Sequence, residues 1–385
     1  MLFKIKFSEL SKALGYVNTV FGGGDIKEDG KVVIFEVGND SNVADIIAIS
    51  RMATTKTKVE LEETEGIEDK WMFQVGVTDL NRIISSYSSL YKTYVEYITF
   101  ETFENKIKII VSEKAKEEDF ASLEQDSTYL LNSSKIKEAI LSDIESKVAP
   151  EEIDIVDSSA ITVVLESLQG AMSNNAKEII SSINFSEEYI YVITSALSSF
   201  MKNKLGVDFT GFALTHSNVT LLKKLCLDVV DIQIKKENAI LFVRSNNTDA
   251  FINISKVKIG HEKRTATYKR DNGILTNRLY LKDVLKRMSA LTVNGHITIT
   301  DDGLAIEDDN KVFSQLVPVD NIKGDVVGYS FKFSVPLLEK MIIGDDAIFN
   351  EQLCMYIEEV KGVRGYALFV SDVTNSWFSL LAVSK

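Results

Sequence analysis

Leu316-Val317-Pro318-Val319-Asp320 runs through Gly324 to Val327-Gly328-Tyr329, then through Phe331-Lys332-Phe333-Ser334 into Leu337-Leu338-Glu339-Lys340-Met341. The last part predicts a helix, with Leu337, Leu338, Met341 and Ile342 on one face. Ser334 stands where an N-cap belongs. Pro336 falls in the first turn, where its missing N–H costs nothing. Strand-like sequence lies on both sides of this helix: Leu353 to Glu358 and Tyr366 to Val370 follow it.

Working outward, the same succession recurs in the other thirds. An early helix is predicted over Ser8 to Phe21, with Leu10, Ala13, Leu14 and Val17 at i, i+3, i+4 and i+7, and Gly22-Gly23-Gly24 as its stop. Ile161, Val164, Leu165 and Leu168 repeat the spacing behind Asp157, Ser158 and Ser159, and Leu281, Val284, Leu285 and Met288 repeat it again. A later helix holds Leu80, Ile83, Ile84 and Tyr87 in the first third, capped by Thr78 or Asp79. Leu221, Leu222 and Leu225 form its counterpart in the second, entered through Thr215 or Ser217. Strands are predicted at Tyr94 to Phe100, Lys106 to Val111, Val229 to Ile234 and Ala239 to Arg244, and hairpin turns at Asp29-Gly30, Asn294-Gly295 and Asp302-Gly303. Each third therefore reads strand, helix, strands, helix, strands, in units of about 128 residues. The boundaries fall at 1–139, 140–262 and 263–385. Ser134 to Lys147 is a polar helical insertion between the first two units, and Glu60 to Asp69 an exposed acidic loop.

Composition narrows the function. The 385 residues, 45% hydrophobic and 26% charged, can bury several cores, which excludes dominant disorder. No apolar run reaches the ~18 residues of a membrane span, and the first residues alternate like a strand and lack a signal peptide's apolar stretch. Cys226 and Cys354, far apart in apolar surroundings, read as thiols of a reducing cytoplasm. His216, His261 and His296 have no ligand-spaced neighbours, so no zinc site is expected. The net charge of −13 argues against nucleic acid only if charge is spread evenly; a basic lining inside an acidic exterior would defeat that argument.

Catalytic signatures are missing. The sequence has no phosphate-loop, dinucleotide, nucleophile-elbow or zincin motif. Gly22-Gly23-Gly24 is followed by no Lys-Ser or Lys-Thr and reads as a helix stop. Asp301, Asp302, Glu307, Asp308 and Asp309 read as solvated hairpin turns, as does Asp345-Asp346, and His216 as a residue at a helix entrance. No enzyme, cofactor or metal is expected.

The segment from Tyr329 to Met341, the triple order, the length and the acidity together resemble the bacterial β sliding clamps, the processivity subunits of replicative DNA polymerases. Glu9-Leu10-Ser11-Lys12-Ala13-Leu14 behind a short first strand also looks like that family. The resemblance covers nearly the whole chain. Pro336 departs from it, standing where the family usually has an aromatic residue, and the overall divergence points to a phage-encoded clamp.

The resemblance implies an α+β DNA clamp fold, three tandem β-rich domains with two helices each. Two such chains close head to tail into a homodimeric ring. Helices line the hole and sheets form the outer wall, so duplex DNA is held topologically and without sequence readout. It implies DNA-facing roles for Lys12, Arg82, Lys223, Lys224, Lys282, Lys286, Arg287 and Lys340, while Ile161 to Leu168 carries no basic residue. It implies that the polymerase and clamp loader dock short peptides in an apolar pocket. Thr194, Leu197, Phe200, Pro336, Phe378, Leu380, Leu381 and Val383 are its candidate lining; only Thr194 survives of the family's loop pattern there. Two other readings stay open: a trimeric two-domain clamp, and a β-rich structural or virion protein with clamp-like repeats.

Overall fold

The computed structural model describes residues 1–22, 31–38, 42–172, 182–195, 197–205, 209–227, 229–257, 270–342, 351–359, 365–374 and 376–384. Gly23, Gly24, the Asp29-Gly30 turn, Ala196, His261, Asp345, Asp346 and Lys385 lie outside them.

The chain opens with β1 (Leu2–Lys6), α1 (Phe7–Phe21), β2 (Val32–Val37), β3 (Val43–Ile49), β4 (Ala53–Glu65) and β5 (Trp71–Gly76). It continues with α2 (Val77–Ser86), β6 (Thr93–Phe103), β7 (Lys106–Ala115) and β8 (Gln125–Asn132). The insertion forms α3 (Glu138–Ser146). The order then recurs: β9 (Asp154–Asp157), α4 (Ser158–Gln169), β10 (Ile183–Phe185), β11 (Tyr189–Ile193), β12 (Leu197–Lys202), β13 (Phe212–Leu214), α5 (His216–Leu225), β14 (Asp231–Glu237), β15 (Ile240–Ser245) and β16 (Thr248–Asn253). A short β17 (Ser255–Lys256) follows. The third occurrence is β18 (Gly273–Asn277), α6 (Arg278–Ser289), β19 (Asn294–Thr300), β20 (Gly303–Asp308), β21 (Ser314–Val317), β22 (Val319–Lys323), β23 (Ser330–Ser334), α7 (Val335–Met341), β24 (Gln352–Glu359), β25 (Gly365–Asp372) and β26 (Trp377–Ser384). Pro318, without an amide hydrogen, separates β21 from β22.

The pairings repeat with the order, all antiparallel. β1 pairs β6, β9 pairs β14, and β18 pairs β24. β2 lies between β3 and β5, β10 between β11 and β13, and β19 between β20 and β23. Meanders β6-β7-β8, β14-β15-β16 and β24-β25-β26 close each occurrence.

The chain divides into two compact units, 1–158 with 220–254, and 159–219 with 255–385. The first contains a 12-stranded sheet and the second a 14-stranded one, so the middle third contributes strands to both. In the first unit β16 hydrogen-bonds β4, from Thr248 opposite Thr57 to Ile252 opposite Ala53. In the second, β26 hydrogen-bonds β12, from Leu381 opposite Leu197 to Trp377 opposite Met201. One rule covers both joins: the last strand of an occurrence pairs the third strand after the first helix of the preceding one. The strand order of the first sheet ends at β8, and that of the second at β21.

Helices form where the apolar spacing predicts them. Leu10, Ala13, Leu14 and Val17 are buried, as are Ile161, Val164, Leu165 and Leu168, and Leu281, Val284, Leu285 and Met288. The caps differ from expectation. α1 begins at Phe7 and α2 at Val77, with Lys6 and Gly76 as N-caps and no side-chain cap bond; Ser8, Thr78 and Asp79 lie inside the first turns. Ser334 is the N-cap of α7 by position, without a side-chain bond. Asn277, by contrast, accepts from the Tyr280 amide and caps α6.

Two turn expectations also change. Asn294-Gly295 opens β19 instead of turning a hairpin. A Cβ at Gly295 would stand 2.3 Å from Met288 Cε and 2.9 Å from Phe333 Cζ, so the glycine leaves room for both side-chain ends. The acidic stretch from Glu60 is strand through Glu65, where β4 pairs β1. Burial of Val59 and Leu61 on the alternate face holds it in the sheet despite its charge. In the first unit's core Phe3 and Phe100 stack at 5.0 Å, and Phe35 and Phe73 at 5.0 Å, tying β1, β2, β5 and β6 together.

Candidate functional site

The apolar residues proposed as a peptide pocket come together in the second unit, but on two faces. β12 lies between β11 and β26, and β26 between β12 and β25. Alternation along these strands sets Phe200, Phe378 and Leu380 on one face and Leu197, Leu381 and Val383 on the other. Phe200, Phe378 and Leu380 join Tyr191, Ile193 and Phe369 in one buried cluster. Phe200 stacks on Phe378 at 4.7 Å, Phe378 on Phe369 at 5.2 Å, and Tyr191 on Phe200 at 5.6 Å. Half-buried Tyr189, Val257 and Tyr356 form its rim. The Arg270 guanidinium lies over the Phe369 ring at 4.8 Å, a cation–π contact.

Of the remaining candidates, Thr194 closes the β11–β12 turn. Its hydroxyl donates to the Leu197 carbonyl at 2.8 Å and accepts the Leu197 amide at 2.9 Å, so it is occupied by its own hairpin. Pro336 is exposed on α7, which packs against β12 and β26. Burial pushes the Tyr189 and Tyr356 hydroxyls and the Cys354 thiol above their ordinary pKa values, so all three are neutral near pH 7. Such a surface suits an apolar ligand. Tyr191, Ile193, Phe369, Tyr356 and Arg270 escaped sequence reasoning. The alternation of Tyr189-Ile190-Tyr191-Val192-Ile193 was a signal for the first two; the others become neighbours only through the order β24-β25-β26-β12-β11.

The basic candidates all lie on the helices of the threefold order. Lys12 is exposed on α1 and Arg82 on α2. Arg82 stands 3.7 Å from Asp79 one turn earlier, a pair too exposed to stabilise much. Asn18 and Asn81 join α1 to α2 by reciprocal amide bonds of 3.2 and 2.5 Å. A groove of about 580 Å³ runs along this pair, lined by Ser11, Lys31, Arg82 and Ser85 among others. Lys31, just before β2, was not among the sequence candidates.

Lys224 of α5 reaches α1: a Cβ on Gly15 would meet its Cε at 3.6 Å. Lys223 and Lys224 are half-buried on α5, and Lys282 and Lys340 half-buried on α6 and α7, which pack together. Lys286 and Arg287 are exposed at the end of α6, where Arg287 Nε donates to its own helix at Asp283 O.

The six helices of the recurring order carry nine basic side chains against five acidic. The inserted α3 carries Glu138, Asp143 and Glu145 and no base. These helices therefore carry a net +4 in a chain of net charge −13, with no base on α4 and Arg278 of α6 fully buried.

Of the acidic residues weighed as metal or acid–base groups, Glu307 and the buried Asp308 belong to β20 and not to a solvated turn, and Asp309 follows in the turn after it. Asp301 and Asp302 form the β19–β20 turn. Asp308 accepts the amides of Asn310 at 3.1 Å and Phe313 at 2.6 Å, and those bonds hold its carboxyl below the usual range. Among the described residues no three His, Cys, Asp or Glu side chains gather as metal ligands, and no helix is long and apolar enough to cross a membrane.

Two helices and a closing antiparallel meander recur three times along the chain, and the strands of successive occurrences join by one rule; this is the order of the DNA clamp fold. Solved structures similar to this chain include bacterial DNA polymerase III β subunits. That of Borrelia burgdorferi, solved with a natural product, is 11% identical, with a TM-score of 0.77 over 100% of this chain and 99% of its own. A β subunit from Eubacterium rectale is 13% identical, with a TM-score of 0.75 and full coverage of both chains. The Thermotoga maritima subunit is 11% identical, with a TM-score of 0.73, covering 100% and 99%. No family model and no curated protein sequence matches the chain.

Proposed function

We propose that this chain is a replication sliding clamp: two copies close into a ring around duplex DNA and tether a DNA polymerase without catalysis or sequence readout. The observation that carries the reading is the joining rule. It operates twice inside the chain and leaves two strands unused, β8 as the last strand of the first occurrence and β21 as the third strand of the last. Both are edges, with Leu130 47% and Leu316 46% exposed. If β8 of one copy pairs β21 of another, the rule operates a third time. That contact is head to tail, and it builds a ring where its rotation closes. Three occurrences of one order support three modules near 1–139, 140–262 and 263–385, and speak against a two-domain trimer.

The full-length likeness to clamps supports the same reading, as does the net positive charge of the helices of the recurring order. A ring binds DNA by enclosure, so a modest basic lining suffices and an acidic exterior repels unproductive contacts. Partners would be the polymerase and its clamp loader, reaching the cluster around Phe200, Phe378 and Leu380 with short apolar peptides. Because that cluster is closed, such a peptide enters by displacing its rim at Tyr356 and Tyr189.

Light scattering across a dilution series, followed by loading on circular DNA, tests the proposal. A mass twice 43.0 kDa, with retention on a nicked circle that is lost when the circle is cut, is expected. A monomer at every concentration that also slips from circles overturns it, and a trimer overturns the three-module closure.

A further inference from the structure

β8 is held in place from inside its own module. It has one strand neighbour, β7, and its Ser127, Tyr129 and Leu131 alternate inward while Thr128, Leu130 and Asn132 are exposed. An edge strand with one neighbour frays readily, because half of its backbone groups face water. Here one side chain reaches it from the end of α2. The hydroxyl of Tyr87, the C-cap residue, lies 2.6 Å from that of Tyr129. The two rings meet edge-on at 6.4 Å and 82°. Tyr87 is 9% exposed, and its hydroxyl thus contacts β8 on its inward face.

We infer that Tyr87 is the positioning residue of the assembly edge: it fixes Tyr129 so that the outward groups of β8 are preset to pair with β21 of a second copy. Pairing with a strand already in place does not have to order that strand at the moment of contact. Because Tyr87 ends α2, which carries Arg82, the helix assigned to DNA and the edge assigned to closure share one hydrogen-bonded junction. The inference rests on the ring reading, and its test separates the two.

Tyr87→Phe and Tyr129→Phe keep the rings and remove the hydroxyl contacts. Each variant is compared with wild type by sedimentation equilibrium for self-association, by hydrogen exchange of the β8 amides and by thermal midpoint. Ser199→Ala is the control, since it deletes a similar buried hydroxyl pair, Ser199 with Ser379 at 2.9 Å, on the central strand β12.

The expected result is a dimer that dissociates about tenfold more readily in both tyrosine variants, about 1.4 kcal/mol summed over the two closures. Faster exchange confined to β8 should accompany it, with Ser199→Ala unchanged in both readouts. Wild-type association and wild-type β8 exchange in both tyrosine variants overturn the inference. So does an association loss that merely follows the midpoint and appears equally in Ser199→Ala. A wild-type chain that never associates overturns the ring reading and the role of β8 as a partner edge; its exchange data still report whether Tyr87 holds the strand.

Discussion

Lys56 shows how one distant side chain secures the end of a helix. The Lys147 amide donates to Ile144 O at 3.2 Å at the C-terminal end of α3, and Lys56 Nζ adds bonds to Ile144 O at 2.8 Å and Lys147 O at 3.1 Å. A cation on a helix's last carbonyls satisfies orphan acceptors and complements the dipole. Burial nevertheless pushes the Lys56 pKa below 10.5, the nearby Asp45 carboxylate opposing the shift. In the interval between that lowered value and 10.5 the unfolded chain binds more proton, so this group makes stability rise with pH there. Lys56→Met should lower stability by about 1–2 kcal/mol through the lost carbonyl contacts and abolish that rise. Chemical denaturation from pH 7 to 10 checks both. Asp308 gives a slope of the same sign: its depressed folded pKa contributes stability above 3.8 that is lost as pH falls through the folded value.

α3 and the β11–β12–β26 sheet were legible to different degrees. The polar insertion was visible because it interrupts the triple spacing. That Ile136 and Ile144 pack on Ile34 and Ile47 was not, since a nine-residue helix with a mixed face names no partner. Ile144→Ala should cost about 2–4 kcal/mol or release α3 locally, read as new proteolysis between Ser134 and Lys147. In the sheet, the sequence identified the right strands but merged their two faces. Phe200 and Leu197 lie on one strand, yet only a known register says which of them meets Phe378. Tyr356→Ala and Arg270→Ala remove rim groups without emptying the core. Each should weaken binding of a fluorescent polymerase-derived peptide about tenfold, whereas Pro336→Ala should leave it near wild type. Equal loss in all three would mean the peptide binds elsewhere.

Across the whole chain, net and local charge point in opposite directions. A net −13 predicts repulsion from DNA, and the net +4 on the helices of the recurring order predicts a local reversal. Lys286→Gln with Arg287→Gln, both exposed on α6, should reduce the log–log salt slope of binding to linear duplex by up to ~1.8 if each meets a phosphate. Retention on closed circles should persist, because enclosure does not depend on two charges. An unchanged slope would remove this end of α6 from the DNA path.

Sequence alone determined the triple order, the helix faces and the absence of recognisable catalytic motifs. Apolar spacing is a local property, read within ten residues of itself. Tertiary structure decided that Gly295 serves packing and not a turn, that Glu60 to Glu65 is strand, and that Phe200 and Leu197 part company. It also showed that β4 and β12 receive the last strand of the next occurrence while β21 receives none. These outcomes depend on which backbone lies opposite which, and register is set by contacts between segments tens to hundreds of residues apart.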